Sequence, residues 1–274
     1  MSVTRTRAAA IAADAIRILH AGQYTNLLDE TIPIRDELRH AVEGTVSYSP
    51  EASLPRVPDG HFTTQFTVVN ETTLAVAERL TSEGRRVVAL NFASAKHPGG
   101  GFLGGARAQE ESLCRSSGLY ACLNGNLMYS QYYSRGSGFY TNYAIYSPDV
   151  PVFFTDSGNP LLKPYRCSFI TSAAVNAGAY LREHPDNSEM VRHEMTARIE
   201  KVLTIAAGHG HDTIILGAWG CGVFRNDPEM IAGLFHDSLT GPFQKVFQQV
   251  VFAVLDTSEQ QENITPFATR FQVG

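Results

Sequence analysis

The stretch NFASAKHPGGGFLGGARAQEE, residues 91–111, decides how the chain is built. It starts at the end of the apolar run Val87–Phe92, passes through five glycines and ends on Gln109, Glu110 and Glu111. Glycines let a backbone turn sharply and approach a ligand, and the N–H groups of such a loop and of a following helix suit diphosphate oxygens. Open α/β sheets also bind ligands at the carboxyl ends of their strands. The stretch therefore predicts a strand, a ligand-binding loop and a helix of an α/β fold.

Short apolar runs alternate with helical periodicity on both sides of this stretch, from about residue 62 onward. Strands are predicted at residues 66–69, 87–92, 150–154, 167–174, 213–216 and 250–255. Apolar residues at steps of three and four predict a helix over residues 190–206. This alternation is typical of α/β layering.

Local signals predict where other segments begin and end. Asn70 is a candidate cap for a helix that stops at Gly84, and Asp227 before Pro228 is typical of a helix start. Residues 129–146 are rich in Tyr, Gly, Ser and Asn without a clear period, which predicts irregular structure or short edge strands.

The first 60 residues are more helical and polar than the rest. Ile11 and Ile18 follow helical spacing, and Asp14 interrupts the apolar run too early for a signal peptide. We therefore expect an accessory helical region over residues 1–60, an α/β domain over residues 61–274, and a cytoplasmic protein.

Composition excludes several classes of protein. The 274 residues are 43% hydrophobic, so the chain can bury a substantial core. Lys and Arg total 22 against 27 Asp and Glu, a formal net charge of -5, which argues against direct DNA binding through a broad basic field. A polyanionic ligand would have to be held locally. No apolar run approaches the ~20 residues of a membrane-spanning helix.

Cysteine and histidine give no metal-binding pattern. The four cysteines are scattered without a Cys-x-x-Cys pair, so we expect reduced thiols. The sequence His209-Gly210-His211-Asp212 is more typical of an exposed turn than of a metal site. We expect neither a metal nor another cofactor.

A second glycine-rich loop, GAWGCGVFRN at residues 217–226, follows the predicted strand at 213–216. Two such loops could close on one diphosphate from both sides. Cys221 has no evident His partner, so it is more typical of a small filler than of a nucleophile. Phe224 could stack on a sugar face or pack beneath the loop.

The first loop and the two carboxylates after it have several possible interpretations. A dinucleotide-binding G-x-G-x-x-G fingerprint does not fit, because Phe102 and Leu103 interrupt the glycines. Glu110 and Glu111 beside a diphosphate loop favour acid/base chemistry on a sugar, since glycosidic cleavage needs a proton for the leaving oxygen and a carboxylate to guide water. The simpler alternative is that both only offset a helix dipole.

Both loops together resemble the poly(ADP-ribose) glycohydrolases, in particular their bacterial-type branch. The resemblance rests on a triple glycine followed by Gln-Glu-Glu and on the second phosphate loop: Gly99, Gly100, Gly101, Gln109, Glu110, Glu111, Gly220, Cys221, Gly222, Val223 and Phe224. It implies a macrodomain-like three-layer fold, with a mixed sheet between helices and an N-terminal helical extension, that binds ADP-ribose over the strand ends.

The resemblance also implies residue roles. Glu111 would protonate the ribose–ribose oxygen, Glu110 and Gln109 would position the terminal ribose, and the second loop would hold the diphosphate. Phe224 would press on that ribose. Many macrodomains place an Asn near the end of the first motif to bind the ribose, and this chain has Ser94 there instead.

The implied activity is hydrolysis of ribose–ribose O-glycosidic bonds of poly(ADP-ribose), mainly from chain ends, releasing ADP-ribose. The expected partners are the polymer, ADP-ribose and poly(ADP-ribosyl)ated proteins made after DNA damage. We expect the enzyme to be a monomer. Two alternatives stay open. One is an ADP-ribose-binding macrodomain without polymer hydrolysis, and the other is a mono-ADP-ribosyl hydrolase.

Overall fold

The computed structural model of the chain describes residues 3–131 and 138–272. The helices are α1 (Arg5–Ala21), α2 (Arg35–Glu43), α3 (Thr73–Ser82), α4 (Gln109–Ser116), α5 (Leu119–Leu123), α6 (Ala177–Glu183), α7 (Ser188–Gly208), α8 (Pro228–Thr240) and α9 (Thr265–Phe271). The strands are β1 (Gln23–Thr25), β2 (Thr31–Pro33), β3 (Val46–Tyr48), β4 (Gln65–Val69), β5 (Val87–Phe92), β6 (Ala144–Phe154), β7 (Pro160–Ser172), β8 (Thr213–Leu216) and β9 (Gln249–Ala253).

The main sheet has seven strands in the order β3-β6-β7-β5-β8-β9-β4. The strands from β7 to β4 run parallel to one another, whereas β6 is antiparallel to both of its neighbours. The mixed sheet is thus confirmed. Parallel strands bring their carboxyl ends to one edge, which is where a ligand cleft forms in such sheets.

Helices cover both faces of this sheet. In β5, Val88 and Leu90 join one core cluster, packed with apolar residues of α7, α8 and α9, while Val87 and Ala89 join another, packed with α3, α4 and α5. Successive side chains of a strand point to opposite faces, so a strand covered on both sides is apolar throughout. The three-layer α/β arrangement follows directly from that run of apolar residues.

The predicted start of α8 is confirmed, and the predicted start of α3 is wrong. Asp227 caps α8 by accepting from the Glu229 N–H, with Pro228 in the first turn. The cap of α3 is Thr72, not Asn70. Asn70 instead exchanges hydrogen bonds with the backbone of Asp256 and ties the end of β4 to the segment after β9.

The tyrosine-rich stretch at residues 129–146 is only partly described, because residues 132–137 lie outside the described part of the chain. Its last residues begin β6, which is an interior strand between β3 and β7 rather than an edge strand. The prediction of short edge strands is therefore wrong for residues 144–146.

The turn predicted at His209-Gly210-His211 is present at residues 209–210 with Gly210 exposed, but the prediction that the histidines are exposed is wrong. His211 is buried, and its Nε2 lies 2.8 Å from the Tyr146 hydroxyl. His209 stacks on the same Tyr146 ring at a centroid distance of 3.7 Å. Burial lowers the pKa of His211 to about 4, so the ring is neutral and packs as part of the core.

The first 60 residues pack closely against the rest of the chain. Strand β3 pairs with β6 in the main sheet, and α1 lies against α4 and the short 3-10 turn Phe102–Gly104. The Arg5 Nε donates to the Gly104 carbonyl at 3.0 Å. A division of the chain at residue 60 stays a prediction. Across residues 3–131 and 138–272, no helix is long and apolar enough to cross a membrane.

Candidate active site

The candidate site lies at the edge where β5 and β8 end. These strands are parallel neighbours in the sheet, so the loops that follow them, residues 93–108 and 217–227, emerge side by side. The backbones come close at Gly217, where an added Cβ would lie 2.9 Å from the Phe92 ring and 2.6 Å from the Ala253 carbonyl. A glycine is required there because two strand ends and the second loop share the space.

The first loop has a backbone conformation that only glycine adopts readily. Gly99 and Gly100 have φ values of +70° and +59°, in the left-handed region. A Cβ at Gly100 would collide with the Glu111 Oε1 and lie 3.1 Å from the Glu110 Oε2. The triple glycine therefore lies directly against both carboxyl groups of α4.

Gln109 fastens the start of α4 to the end of β5. Its Oε1 accepts from the Phe92 N–H at 2.9 Å, and its Nε2 donates to the Leu90 carbonyl at 2.8 Å and to the Thr73 hydroxyl at 3.1 Å. The amide is fully engaged by the protein. Any effect of Gln109 on a ribose then acts through the placement of the two glutamates that follow it.

Glu110 is 3% exposed and bonded to the protein through both oxygens. Its Oε2 accepts from the Ser94 N–H at 2.7 Å, and its Oε1 lies 3.4 Å from the Asn91 amide nitrogen. Burial raises the pKa of Glu110 to about 8, and the neighbouring Glu111 carboxylate adds to the rise. The adjacent carboxyl groups of Glu110 and Glu111 accordingly hold a proton between them at neutral pH.

Glu111 is 9% exposed and differs from Glu110 in its bonding. Its Oε1 accepts from the Gly101 N–H at 3.0 Å, within the glycine loop. Its Oε2 has no hydrogen-bond partner among the described residues. One oxygen of Glu111 is thus fixed by the loop, and the other has no partner in the part of the chain that the structure describes.

This burial argues against a mere offset of the helix dipole by the two glutamates. A carboxylate that only stabilises a helix N-terminus is satisfied at the surface, where it costs little to keep charged. Here two adjacent carboxyl groups are withdrawn from water, and the pKa of one is raised as a result. Perturbed, buried groups of this kind cluster at functional sites.

The second loop is built around Gly220 and Asn226. Gly220 has φ of +77°, and the buried Asn226 amide donates to its carbonyl at 3.2 Å and to the Val175 carbonyl at 2.8 Å. A Cβ at Gly222, by contrast, would meet no atom of the described chain within 4 Å. Val223 beside it is 86% exposed, so the loop tip is open to an incoming ligand.

Cys221 and Phe224 complete this loop. Burial raises the pKa of the Cys221 thiol to about 12, so it is not a thiolate and is unsuited to nucleophilic attack. All four cysteines are free, as expected. The Phe224 ring is half-buried, with its centroid 5.9 Å from that of Tyr140.

Ser94 takes part in the turn of the first loop. Its hydroxyl accepts from the N–H groups of Lys96 and His97, both at 3.2 Å, while its own N–H holds Glu110. The side chain is therefore used locally, and its main contact with the site runs through the backbone.

Several residues beside the glutamates were not singled out from the sequence. Asn91 is fully buried and bridges Glu110 to the Thr171 hydroxyl. Arg115 is a buried cation four residues after Glu111, and its Nη1 donates to the Ala106 carbonyl at 3.2 Å. The spacing of Arg115 on the helix could have shown it, because residues four apart share a helix face.

Tyr129 and Asp156 approach the site from more distant parts of the chain. The Tyr129 hydroxyl is buried, and its pKa is raised well above the usual value, by burial and then by Glu110. Asp156 accepts from the Ser112 hydroxyl of α4 at 2.8 Å and from the Thr72 hydroxyl at 2.5 Å. No local pattern marks either residue. Among the described residues, no group of three His, Cys, Asp or Glu could hold a metal ion.

Comparison with known proteins agrees with this geometry. The family described as microbial-type PARG (poly(ADP-ribose) glycohydrolase), catalytic domain, matches residues 12–155. No curated protein gives a match. Among solved structures, the poly(ADP-ribose) glycohydrolase of Thermomonospora curvata is 45% identical with a TM-score of 0.89, over 98% of this chain and 100% of that one.

Two ligand-bound structures are also similar. The Thermomonospora curvata enzyme bound to the inhibitor ADP-HPD is 44% identical with a TM-score of 0.87, over 98% of this chain and 100% of that one. The Deinococcus radiodurans enzyme in complex with ADP-ribose is 42% identical with a TM-score of 0.81, over 86% of this chain and 97% of that one. On its fold, its site and these similarities, the chain belongs to the microbial-type poly(ADP-ribose) glycohydrolase family.

Proposed function

We propose that the chain hydrolyses the ribose–ribose O-glycosidic bonds of poly(ADP-ribose), mainly from chain ends, and releases ADP-ribose. The observation that carries the proposal is the burial of two adjacent carboxyl groups against Gly100, in a loop of the kind that binds diphosphate. A module that only bound ADP-ribose would need the loops but not the buried pair.

The two glutamates differ in a way that supports separate roles. Glu111 has one oxygen without a hydrogen-bond partner among the described residues and the other fixed by Gly101, so it is suited to pass the proton that the buried pair holds to the ribose oxygen and to regain one from water. Glu110 is held by the protein through both oxygens, so it is suited to orient the terminal ribose. Gln109 positions both.

The loops supply the binding part of the proposal. Backbone N–H groups near Gly99–Gly101 and Gly220–Phe224 would receive the diphosphate, because a polarised loop at a helix start favours an anion. Val223 is exposed at the loop tip, Cys221 acts as a small filler, and Phe224 would press on the terminal ribose. No metal and no cofactor enter this scheme.

Cell-level features belong to the same proposal. Poly(ADP-ribosyl)ated proteins would be the physiological partners. The enzyme would act as a monomer in the cytoplasm, a compartment that keeps thiols such as the four free cysteines reduced. An accessory region at residues 1–60 would support a catalytic domain at residues 61–274.

The first test is Glu111→Gln, which removes the proton donor while keeping the size of the side chain. We expect turnover of poly(ADP-ribose) to fall by roughly a hundredfold or more, as for loss of a general acid, with ADP-ribose affinity within about threefold of wild type. Glu110→Gln should also be severe, through positioning. Glu189→Gln, at an exposed site on α7, is the matched control. A wild-type rate in Glu111→Gln would remove the general acid from the proposal.

A further inference from the structure

A second pocket, of about 560 Å³, opens at the other end of β5 from the two glutamates. The end of α3, the segment that enters β5, and the strands β6 and β7 surround it. The charged residues that line it are Glu78, Arg85, Arg86, Asp149, Lys163 and Arg166. We call it the basic pocket.

The charge of the basic pocket is opposite in sign to the net charge of the chain. Four cations face two carboxylates there, whereas the chain has a net charge of -5. Concave sites lined by one sign of charge concentrate the field and attract counter-charged ligands. An anion that the rest of the surface repels would therefore be drawn to this place.

The cations are accessible to a ligand. Arg86 and Lys163 are exposed. Arg166 is also exposed, and its contact with Glu37 is long, at 3.5 Å, so this pair contributes little. Arg85 is held by the Gln248 side chain at 2.6 Å, which fixes one guanidinium at the rim.

The distance to the cleft constrains what the ligand is. Strand β5 has six residues between the basic pocket and the cleft, or roughly 20 Å at about 3.3 Å per residue. A single ADP-ribose in the cleft would not reach the basic pocket, whereas a polymer of several units carries further diphosphates that can.

We propose that the basic pocket binds a diphosphate of poly(ADP-ribose) in a unit remote from the one in the cleft. The identity of the polymer rests on the proposed function, but the anion site does not. Such a contact raises the affinity for long chains over that for free ADP-ribose. The proposal also predicts that the protein retains the polymer after its end unit has been removed.

The test compares two double variants that remove the same charge, both in the Glu111→Gln protein so that bound polymer is not consumed. Lys163→Gln with Arg166→Gln changes the basic pocket. Arg17→Gln with Arg39→Gln changes exposed arginines elsewhere, each in a surface pair with an aspartate on its own helix.

We expect the pocket variant to bind long poly(ADP-ribose) about three- to tenfold more weakly, with a shallower dependence on salt, and to bind ADP-ribose as before. The control should match its parent with both ligands. Unchanged polymer binding, an equal loss in the control, or a loss of ADP-ribose affinity would each overturn the proposal. The measurement is one of binding, so it stands apart from whether the wild-type protein hydrolyses the polymer.

A titration with inorganic pyrophosphate distinguishes the source of the diphosphate. We expect pyrophosphate to compete with long polymer less effectively in the pocket variant than in the parent, because only the diphosphate loops of the cleft then remain. If pyrophosphate binding depends on Lys163 and Arg166 but polymer binding does not, the basic pocket serves a free diphosphate and the polymer assignment is wrong.

Discussion

At the scale of single residues, Glu110 shows how the fold sets the chemistry of a side chain. Its pKa rises to about 8 mainly because the carboxyl group is buried, while hydrogen bonds from Ser94 and Asn91 oppose the rise. Between pH 4.5, the usual pKa of a glutamate, and about pH 8, the folded protein holds a proton that the unfolded chain releases.

This difference predicts a pH dependence of stability. Because folded Glu110 stays protonated up to about pH 8 and unfolded Glu110 only to about 4.5, its contribution is fully present below pH 4.5 and is lost as the pH rises through 8. The free energy of unfolding of wild type relative to Glu110→Gln should therefore fall steadily from pH 5 to pH 8. Urea denaturation across that range measures it, with Glu189→Gln as control. A pH-independent difference would contradict the assigned protonation state.

Gly222 gives the cleanest single-residue test of the ligand path. Its added Cβ would meet no described atom within 4 Å, and its φ is not positive, so Gly222→Val should fold as wild type does. We expect ADP-ribose affinity measured by calorimetry to drop at least tenfold, because the new side chain would occupy the diphosphate position. Gly104→Val is the control, since its Cβ is equally open but Gly104 lies on the side of the first loop that faces α1. Unchanged affinity in Gly222→Val would place the ligand elsewhere.

Gly100 is less informative, although it touches both glutamates. Its φ of +59° disfavours any side chain, and a valine would also displace Glu111. We expect Gly100→Val to lose ADP-ribose binding. This loss would have three causes that the experiment could not separate: backbone strain, a displaced carboxylate and a blocked ligand path.

At the scale of elements, α1 supports the first loop through Gly105. This glycine has φ of +78°, and a Cβ there would collide with the backbone oxygen of Arg5. We expect Gly105→Ala to lower the free energy of unfolding by more than about 1 kcal/mol and to speed hydrogen exchange in α1. Gly84→Ala is matched in φ, +80°, but its Cβ would meet open space. Equal effects in both variants would show that α1 does not depend on this contact.

The strands and helices that sequence predicts well are those with one dominant signal. Strand β8 agrees residue for residue, because Thr213 and the three apolar residues after it are bounded by turn-forming sequence on both sides. Helix α8 also begins where Asp227 and Pro228 predict, since a cap acts within a few residues. Local physics decides these elements, so local sequence reveals them.

The errors occur where distant contacts decide. Asn70 is a good cap by type, yet its side chain is taken by Asp256, and Thr72 caps α3 instead. His211 lies beside a glycine but is buried by Tyr146, which is 65 residues away in the chain. In the site, the glycines and glutamates are visible from sequence, whereas Tyr129 and Asp156 reach it only through tertiary folding.

At the scale of the whole molecule, the last segment closes one side of the fold. Residues after β9 turn back onto the fold: Pro266, Phe267 and Phe271 are buried, and Phe271 stacks on Phe252 with centroids 4.3 Å apart. The segment leaves β9 at the same edge as the cleft and is fixed there by Asp256, which accepts from the Asn263 N–H at 2.8 Å.

The most direct measurement supplies the intact protein with purified long poly(ADP-ribose) and, separately, with a protein carrying single ADP-ribose units, and resolves the earliest products. We predict that free ADP-ribose accumulates from the polymer from the start and that the singly modified protein releases little. Release only from the singly modified protein, or from neither substrate, would contradict the central claim that this chain cleaves ribose–ribose bonds. Short oligomers appearing before ADP-ribose would contradict attack at chain ends.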